Sequence, residues 1–251
     1  MGFLWISART FACVSLVCFS TVANATQTLN GYKWREIGPV LKVNYQLVAG
    51  SPWLPYNQRA ATLWSSDGNI DVGVTTLAAS SCAQTWATVQ ICNGNYGATG
   101  WLGYTLISSG GGFNSSATIR FNDYYFNMSK YNTIAWRSLV ACHEIGHTLG
   151  LNHADNSSSN LNLGTCLDVT SDPTGTAKLG PRSNLAPGSH DFALLRTIYG
   201  PTATSTSDGA SGSFEDIYPA VLDVAEPGSA ALSLGGLAFL VVARTRRRAH
   251  R

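Results

Sequence analysis

Residues 143–153 run His-Glu-Ile-Gly-His-Thr-Leu-Gly-Leu-Asn-His. On an α-helix His143 and His147 lie one turn apart on the same face, so both imidazoles can bind one metal ion from a rigid element. Glu144 sits beside the first of them, within reach of a metal-bound water. Gly150 allows a sharp turn that brings His153 round as a third nitrogen ligand. Three neutral nitrogens leave the fourth tetrahedral position of a zinc ion open, which a catalytic site requires and a structural site lacks. Such a zinc acidifies its water and polarises a carbonyl. The chemistry this predicts is peptide-bond hydrolysis, with Glu144 taking the water's proton and delivering it to the departing amine. The pattern H-E-x-x-H-x-x-G-x-x-H arises by chance on the order of once in 300,000 chains of this length and composition. Three of the five histidines fall in it, so packed or surface histidines do not explain it.

Those ligands need a helix, and the sequence supplies one. From Asn132, a candidate N-cap, no Gly or Pro interrupts the chain until Gly146, and Gly150 is a natural stop. Upstream, apolar alternation predicts strands at Val43, Tyr45 and Leu47, at Ile70, Val72 and Val74, at Val89 and Ile91, and at Ile119 and Phe121. Gly100 to Ile107 adds a strand with glycines near its start, where a bulge or the close approach of another backbone is expected. A second helix is predicted from Asp191 to Tyr199, with Ser189 as candidate cap. No internal repeat is present.

The 251 residues are 45% hydrophobic and 12% charged, which argues against disorder over the whole length and for one domain with short extensions. Residues 1–25 carry Arg9, the apolar stretch Phe11 to Val22 and Ala23-Asn24-Ala25, the pattern of a signal peptide cut by signal peptidase. Residues 26–200 form the predicted catalytic domain, 201–223 a Pro/Ser/Thr/Gly linker, and 224–251 a C-terminal segment. That segment holds Glu226-Pro227, an apolar run from Ser229 to Ala243 and an arginine cluster. The run is shorter than the ~20 residues that span a bilayer comfortably, and the arginines would hold that end in the cytoplasm. Between Thr26 and Asp223 ten basic residues face thirteen acids, so a basic groove for nucleic acid is not indicated. Export leaves Cys82, Cys92, Cys142 and Cys166 in an oxidising compartment. Four cysteines allow three pairings. The short span favours Cys82–Cys92, leaving Cys142–Cys166.

HEIGHTLGLNH resembles the long zinc signature of the metzincin metallopeptidases. Together with NGNYGATGWLGYTLI, FNDYYFN, NLGTCLDVTSDP and SHDFALLRTIYG, it resembles secreted matrixin-like metzincins of bacteria and fungi over roughly Cys82 to Tyr199. The resemblance implies an α+β fold: a twisted, mostly parallel sheet, one antiparallel edge strand above the cleft, a zinc helix below and a C-terminal helix. Gly100 to Ile107 would lie close to that edge strand, along which an extended polypeptide substrate adds main-chain hydrogen bonds. The C-terminal segment resembles the PEP-CTERM sorting signal of Gram-negative bacteria, which an exosortase is thought to process, although Ala225 stands where a first proline is usual. The same segment fits a permanent anchor, so membrane contact is transient or lasting on these two readings. Either places the protein in the periplasm, at the cell surface or in the extracellular matrix.

Two departures from the family stand out. Leu167 occupies the place of the methionine that metzincins put beneath the zinc, and Val169 a place where relatives often carry tyrosine. The first exchange conserves volume and apolar character. The second removes a donor to the developing oxyanion, worth on the order of 100-fold in rate. They motivate an alternative: a zinc-binding module of the same fold, displayed on the surface, with weak or lost turnover. Asp155 has two readings, an orienting partner for a ligand histidine or a solvated turn residue. His190 and Asp191 match a family His-Asp pair and are assigned to capping and packing. Trp86, Trp101, Trp136, Tyr124 and Tyr125 are assigned to core or cleft wall. The spare histidines are too few for a second zinc site. No cysteine lies between Thr26 and Lys42 to block the metal, so latency through a cysteine is not expected.

Overall fold

In the computed structural model residues 27–35, 41–77, 82–175, 179–200 and 220–225 are described. The predicted signal peptide, the apolar run and the arginine cluster lie outside them. The described chain is α+β, with a mixed sheet of strands β1 (Leu41–Val48), β2 (Ile70–Leu77), β3 (Val89–Gly94), β4 (Trp101–Gly110), β5 (Phe113–Asn122) and β6 (Ala220–Ala225). Its order is β2-β1-β3-β5-β4-β6. The first four in that order run parallel, and β4 is antiparallel to both β5 and β6.

The strands form where alternation predicts them, and the reason is visible at β4. Gly103, Thr105 and Ile107 are buried, whereas Tyr104, Leu106 and Ser108 are half-buried, so one face packs on helix and the other meets solvent. One expectation needs correcting: β4 is antiparallel but is not the edge, because β6 pairs along its outer side. The sequence places residues 220–223 in the linker; the six-residue stretch Ala-Val-Leu-Asp-Val-Ala is instead a strand. Its β-branched and apolar content suits a strand, but only pairing with a distant partner could reveal it.

Among the described residues the α-helices are α1 (Leu54–Trp64), α2 (Asp123–Phe126), α3 (Ile134–Thr148) and α4 (Ser189–Tyr199). Helix α3 starts one residue later than predicted, with Thr133 as its cap: the Thr133 hydroxyl accepts from Trp136 N at 3.2 Å. Asn132 instead accepts from the Arg137 guanidinium at 3.3 Å. Ser189 lies inside α4 rather than capping it; Gly188 precedes the helix, and the Asp191 carboxylate reaches back to Gly188 N at 2.6 Å. Helix α1, absent from the predicted elements, packs on α3, and Trp64 Nε1 donates to Cys142 O at 2.9 Å. The core is aromatic at this end, where the fully buried Trp53 stacks on Phe121 with ring centroids 3.8 Å apart and meets Phe126 edge-on at 4.5 Å.

The C-terminal end of α3 is anchored by other parts of the chain. Tyr45 Oη and Thr148 Oγ1 are 2.5 Å apart, and Trp34 Nε1 and Asn114 Nδ2 both donate to Thr148 O. Residues 27–35 strap across the following turn, with Asn30 Nδ2 donating to His147 O, Asn30 N to Gly150 O and Asn152 N to Thr28 O. Gly150 has φ +104°, and a Cβ there would lie 2.6 Å from Tyr32 O. Both the turn and the strap therefore require glycine at 150.

Cys82 pairs with Cys92, and Cys142 with Cys166. The second bridge ties α3 to the segment beneath it and fits an oxidising, exported environment. Closing a loop of 24 residues stabilises by about 3–4 kcal/mol in the chain-entropy account. The double variant Cys142→Ser/Cys166→Ser should therefore lose about that much stability, measured by denaturant unfolding. A loss below ~1 kcal/mol would show that the helix and the underlying turn hold without the bridge.

Candidate metal centre

Helix α3 presents His143 and His147 on one face, and the turn at Gly150 returns His153 to it. The ligand atoms of the three side chains all lie within 4.8 Å of one another. His143 and His147 are fully buried. Each imidazole has one nitrogen held and one free. His143 Nδ1 donates to Cys166 O at 2.7 Å, His147 Nδ1 to Leu151 O at 2.8 Å, and His153 Nδ1 to Asn156 Oδ1 at 3.0 Å. A carbonyl oxygen can only accept, so each Nδ1 carries the hydrogen and each Nε2 keeps its lone pair. All three Nε2 atoms are buried without a hydrogen-bond partner. Orphaned buried polar atoms cost ~1–3 kcal/mol each, and a cation bound to all three satisfies them together.

The electrostatics agree. Burial lowers the pKa of His143 well below the ordinary value, and the neighbouring imidazoles of His147 and His153 lower it further, against the bond to Cys166 O. Burial, then His153, takes His147 down to about 3, against its bond to Leu151 O. Both rings are thus neutral at neutral pH, the form that ligates. Three imidazoles without a carboxylate or thiolate suit a borderline divalent ion such as zinc, copper or nickel.

Glu144, fully buried, lies next in sequence to His143 against β4. Its Oε2 accepts from the Thr105 hydroxyl at 2.5 Å. A Cβ on Gly103 would lie 2.7 Å from Val140 Cγ1 and 2.9 Å from the Glu144 carboxyl carbon. Only glycine at 103 lets α3 press this closely on the strand. The glycines at the start of β4 were visible in the sequence as a place of close approach, whereas Thr105 and Asn156 gave no sequence signal.

Against Gly146 of the same helix lies Leu167, fully buried, with Thr165 Oγ1 accepting from its N–H and its carbonyl receiving Ala154 N. A Cβ on Gly146 would lie 2.9 Å from Leu167 Cδ2 and 2.7 Å from Trp64, so helix, leucine and tryptophan are in tight contact. Val169 is buried and brings no donor. Asp155 does not orient a ligand imidazole. Its carboxylate accepts from Ser157 N at 3.1 Å and from Asn160, and the residue one further on, Asn156, reaches the His153 ring. Asp191 is buried and accepts from Thr165, supporting the segment that carries Leu167, while His190 is exposed. Of the aromatics assigned to core or wall, Tyr125 and Trp136 are buried and Trp86 is exposed. A cavity of about 370 Å³ at the ends of β1 and β3, lined in part by Ser51, Asn93 and Tyr96, contains none of the triad.

Set against known proteins, the chain matches no family model and no curated relative. Among the described residues no helix is long and apolar enough to cross a membrane. The α+β class and the histidine triad accordingly stand on the geometry above.

Asp168 pairs with Asp155 across an isolated parallel bridge and is buried. Burial pushes its carboxyl up to about 7; Leu163 N and Asn184 Nδ2 pull it down, and Asp155 pushes it up again. An unfolded aspartate titrates near ~3.9, so the folded state holds the proton more tightly. Stability from this group is therefore complete below that value and is lost as pH rises towards 7. In metal-free protein the urea midpoint should fall over that interval, and Asp168→Asn, which mimics the protonated form, should flatten the fall. An unchanged slope in the variant would assign the pH dependence to other groups.

Proposed function

We propose that the chain is an exported zinc-dependent endopeptidase of the metzincin type, acting on polypeptides. The observation that carries this reading is the convergence of three buried, unpaired Nε2 atoms beside a buried glutamate on the same helix. His143, His147 and His153 would hold the zinc, with Asn156 and the carbonyls of Cys166 and Leu151 fixing the rings. When bound, the ion supplies Lewis acidity, acidifying water and polarising a carbonyl. The Thr105 hydroxyl holds the Glu144 carboxylate by its Oε2 atom. Glu144 accepts the proton of the attacking water and passes it to the amide nitrogen of the departing chain. An extended polypeptide would pair with β4 along the side where β6 lies, and Leu167 packed against Gly146 holds the helix that carries two of the histidines. Gram-negative export, with signal peptidase and an exosortase-type enzyme as processing partners, is proposed from the two chain ends. Transient or lasting membrane contact would run through the C-terminal segment.

Val169 favours a second reading, a zinc module with little turnover, because a buried valine stabilises no oxyanion. The mature protein should bind one zinc per chain and cleave casein, and Glu144→Ala should lower cleavage by 100-fold or more while keeping the zinc. Less than stoichiometric zinc, or activity indifferent to that change, rejects the peptidase; full zinc without cleavage over a broad peptide library selects the module.

Gly103→Ala should retain zinc and lose rate, because the added methyl must displace Val140 or the Glu144 carboxylate. An unaltered kcat/KM would show that the strand absorbs the methyl. Leu167→Met should cost under about 1.5 kcal/mol and Leu167→Ala about 2–5 kcal/mol, read from thermal unfolding. Equal losses from the two would mean that volume beneath the triad does not matter.

A further inference from the structure

The outer side of β4 is occupied by the chain itself. Ala220–Ala225 runs antiparallel along it, with Ile107 opposite Ala220, Leu106 opposite Val221, Thr105 opposite Leu222 and Tyr104 opposite Asp223. The register shifts between Tyr104 and Trp101, which stands opposite Ala225. Thr105 is the residue whose hydroxyl holds Glu144, and β6 also packs on α3, the helix that carries His143 and His147. The added strand therefore passes abreast of the catalytic glutamate and beside the metal-binding helix.

We propose that Ala220–Ala225 is an intramolecular occupant of the peptide-accepting edge of β4, which an extended polypeptide must displace. This rests on the peptidase reading for its effect on rate, but not for the occupancy itself. Three observations carry it. The pairing is antiparallel, as for a peptide added to a sheet edge. Twenty residues, 200–219, separate the strand from the end of α4, and a chain of that length can span up to ~70 Å, enough for the strand to leave β4 with α4 in place. It also ends immediately before Glu226-Pro227, so any factor that grips or cuts the C-terminal segment acts on the strand directly. Without β6, β4 would be an open edge, a template for stray chains. A strand of ~0.1 mM intrinsic affinity tethered at ~1 mM effective concentration is bound about ten times as often as it is free, which lowers the accessible fraction of sites about tenfold.

The test uses the full exported chain and two single variants, Val221→Pro and Leu222→Pro. Successive N–H groups of a strand point to opposite sides, so one of the two prolines removes a ladder bond. Hydrogen exchange of the β4 amides of residues 104–107 and kcat/KM on an extended fluorogenic peptide are measured for each. At least one variant should exchange faster at β4 and hydrolyse the peptide about tenfold faster. A synthetic peptide of residues 218–226 should bind that variant, restore the protection and bring the rate down again. Protection and rate unchanged in both variants overturn the proposal, as does faster exchange with an unchanged rate in an active enzyme, which makes β6 a structural strand only. If no form hydrolyses any peptide, restored protection by the 218–226 peptide still supports occupancy, and it is the peptidase reading that fails.

Discussion

Three imidazoles buried together with their outward nitrogens unpaired are the constraint around which this structure is arranged. Each Nε2 lone pair faces the same small volume, and none has a donor from the protein. Burial and the neighbouring imidazoles keep His143 and His147 uncharged. The site is thus prepared for a cation and poorly suited to protons. The opposite edges of the rings are all tied to oxygen acceptors, so the ligand geometry is set before any ion arrives.

The remainder of the fold holds those acceptors in place. Cys166 O is fixed by the disulfide to α3 and by Cys166 N donating to Ala186 O. Leu151 O is fixed by the turn at Gly150, which the N-terminal strap closes from outside. Leu167 and Trp64 fill the space under Gly146, so the helix cannot settle away from the turn. On the other side Gly103 and Thr105 of β4 receive Glu144. Helix, turn, strap and strand converge on a single volume, and close packing makes their positions interdependent.

Much of this was legible in the amino-acid sequence, and the legible part has a common cause. His143, His147 and Glu144 are related by helical periodicity, a local property that spacing expresses directly. Gly150 announces its turn, and alternation announces β1 to β5, because each is a short-range pattern. Thr133 displacing Asn132 as the cap, or Gly188 preceding Ser189, is a shift of one residue, the usual resolution of such signals. Helix α1 escaped because its buried face, Asn57, Ala60, Ala61 and Trp64, carries little apolar signal and becomes coherent only against α3. β6 escaped because a short apolar run after a Ser/Thr/Gly-rich linker has no meaning until β4 lies beside it.

What the sequence determined by itself is therefore the candidate metal site: three histidines and a glutamate at helical spacing, with four cysteines framing them. Tertiary structure decided who supports them. Asn156 rather than Asp155 meets the His153 ring, Thr105 holds Glu144, and a strand from beyond the linker covers β4. The physical reason is range: ligand spacing within a helix and its following turn is set by backbone geometry over eleven residues. A hydroxyl 39 positions away from the glutamate it binds is placed only when the whole sheet closes on the helix.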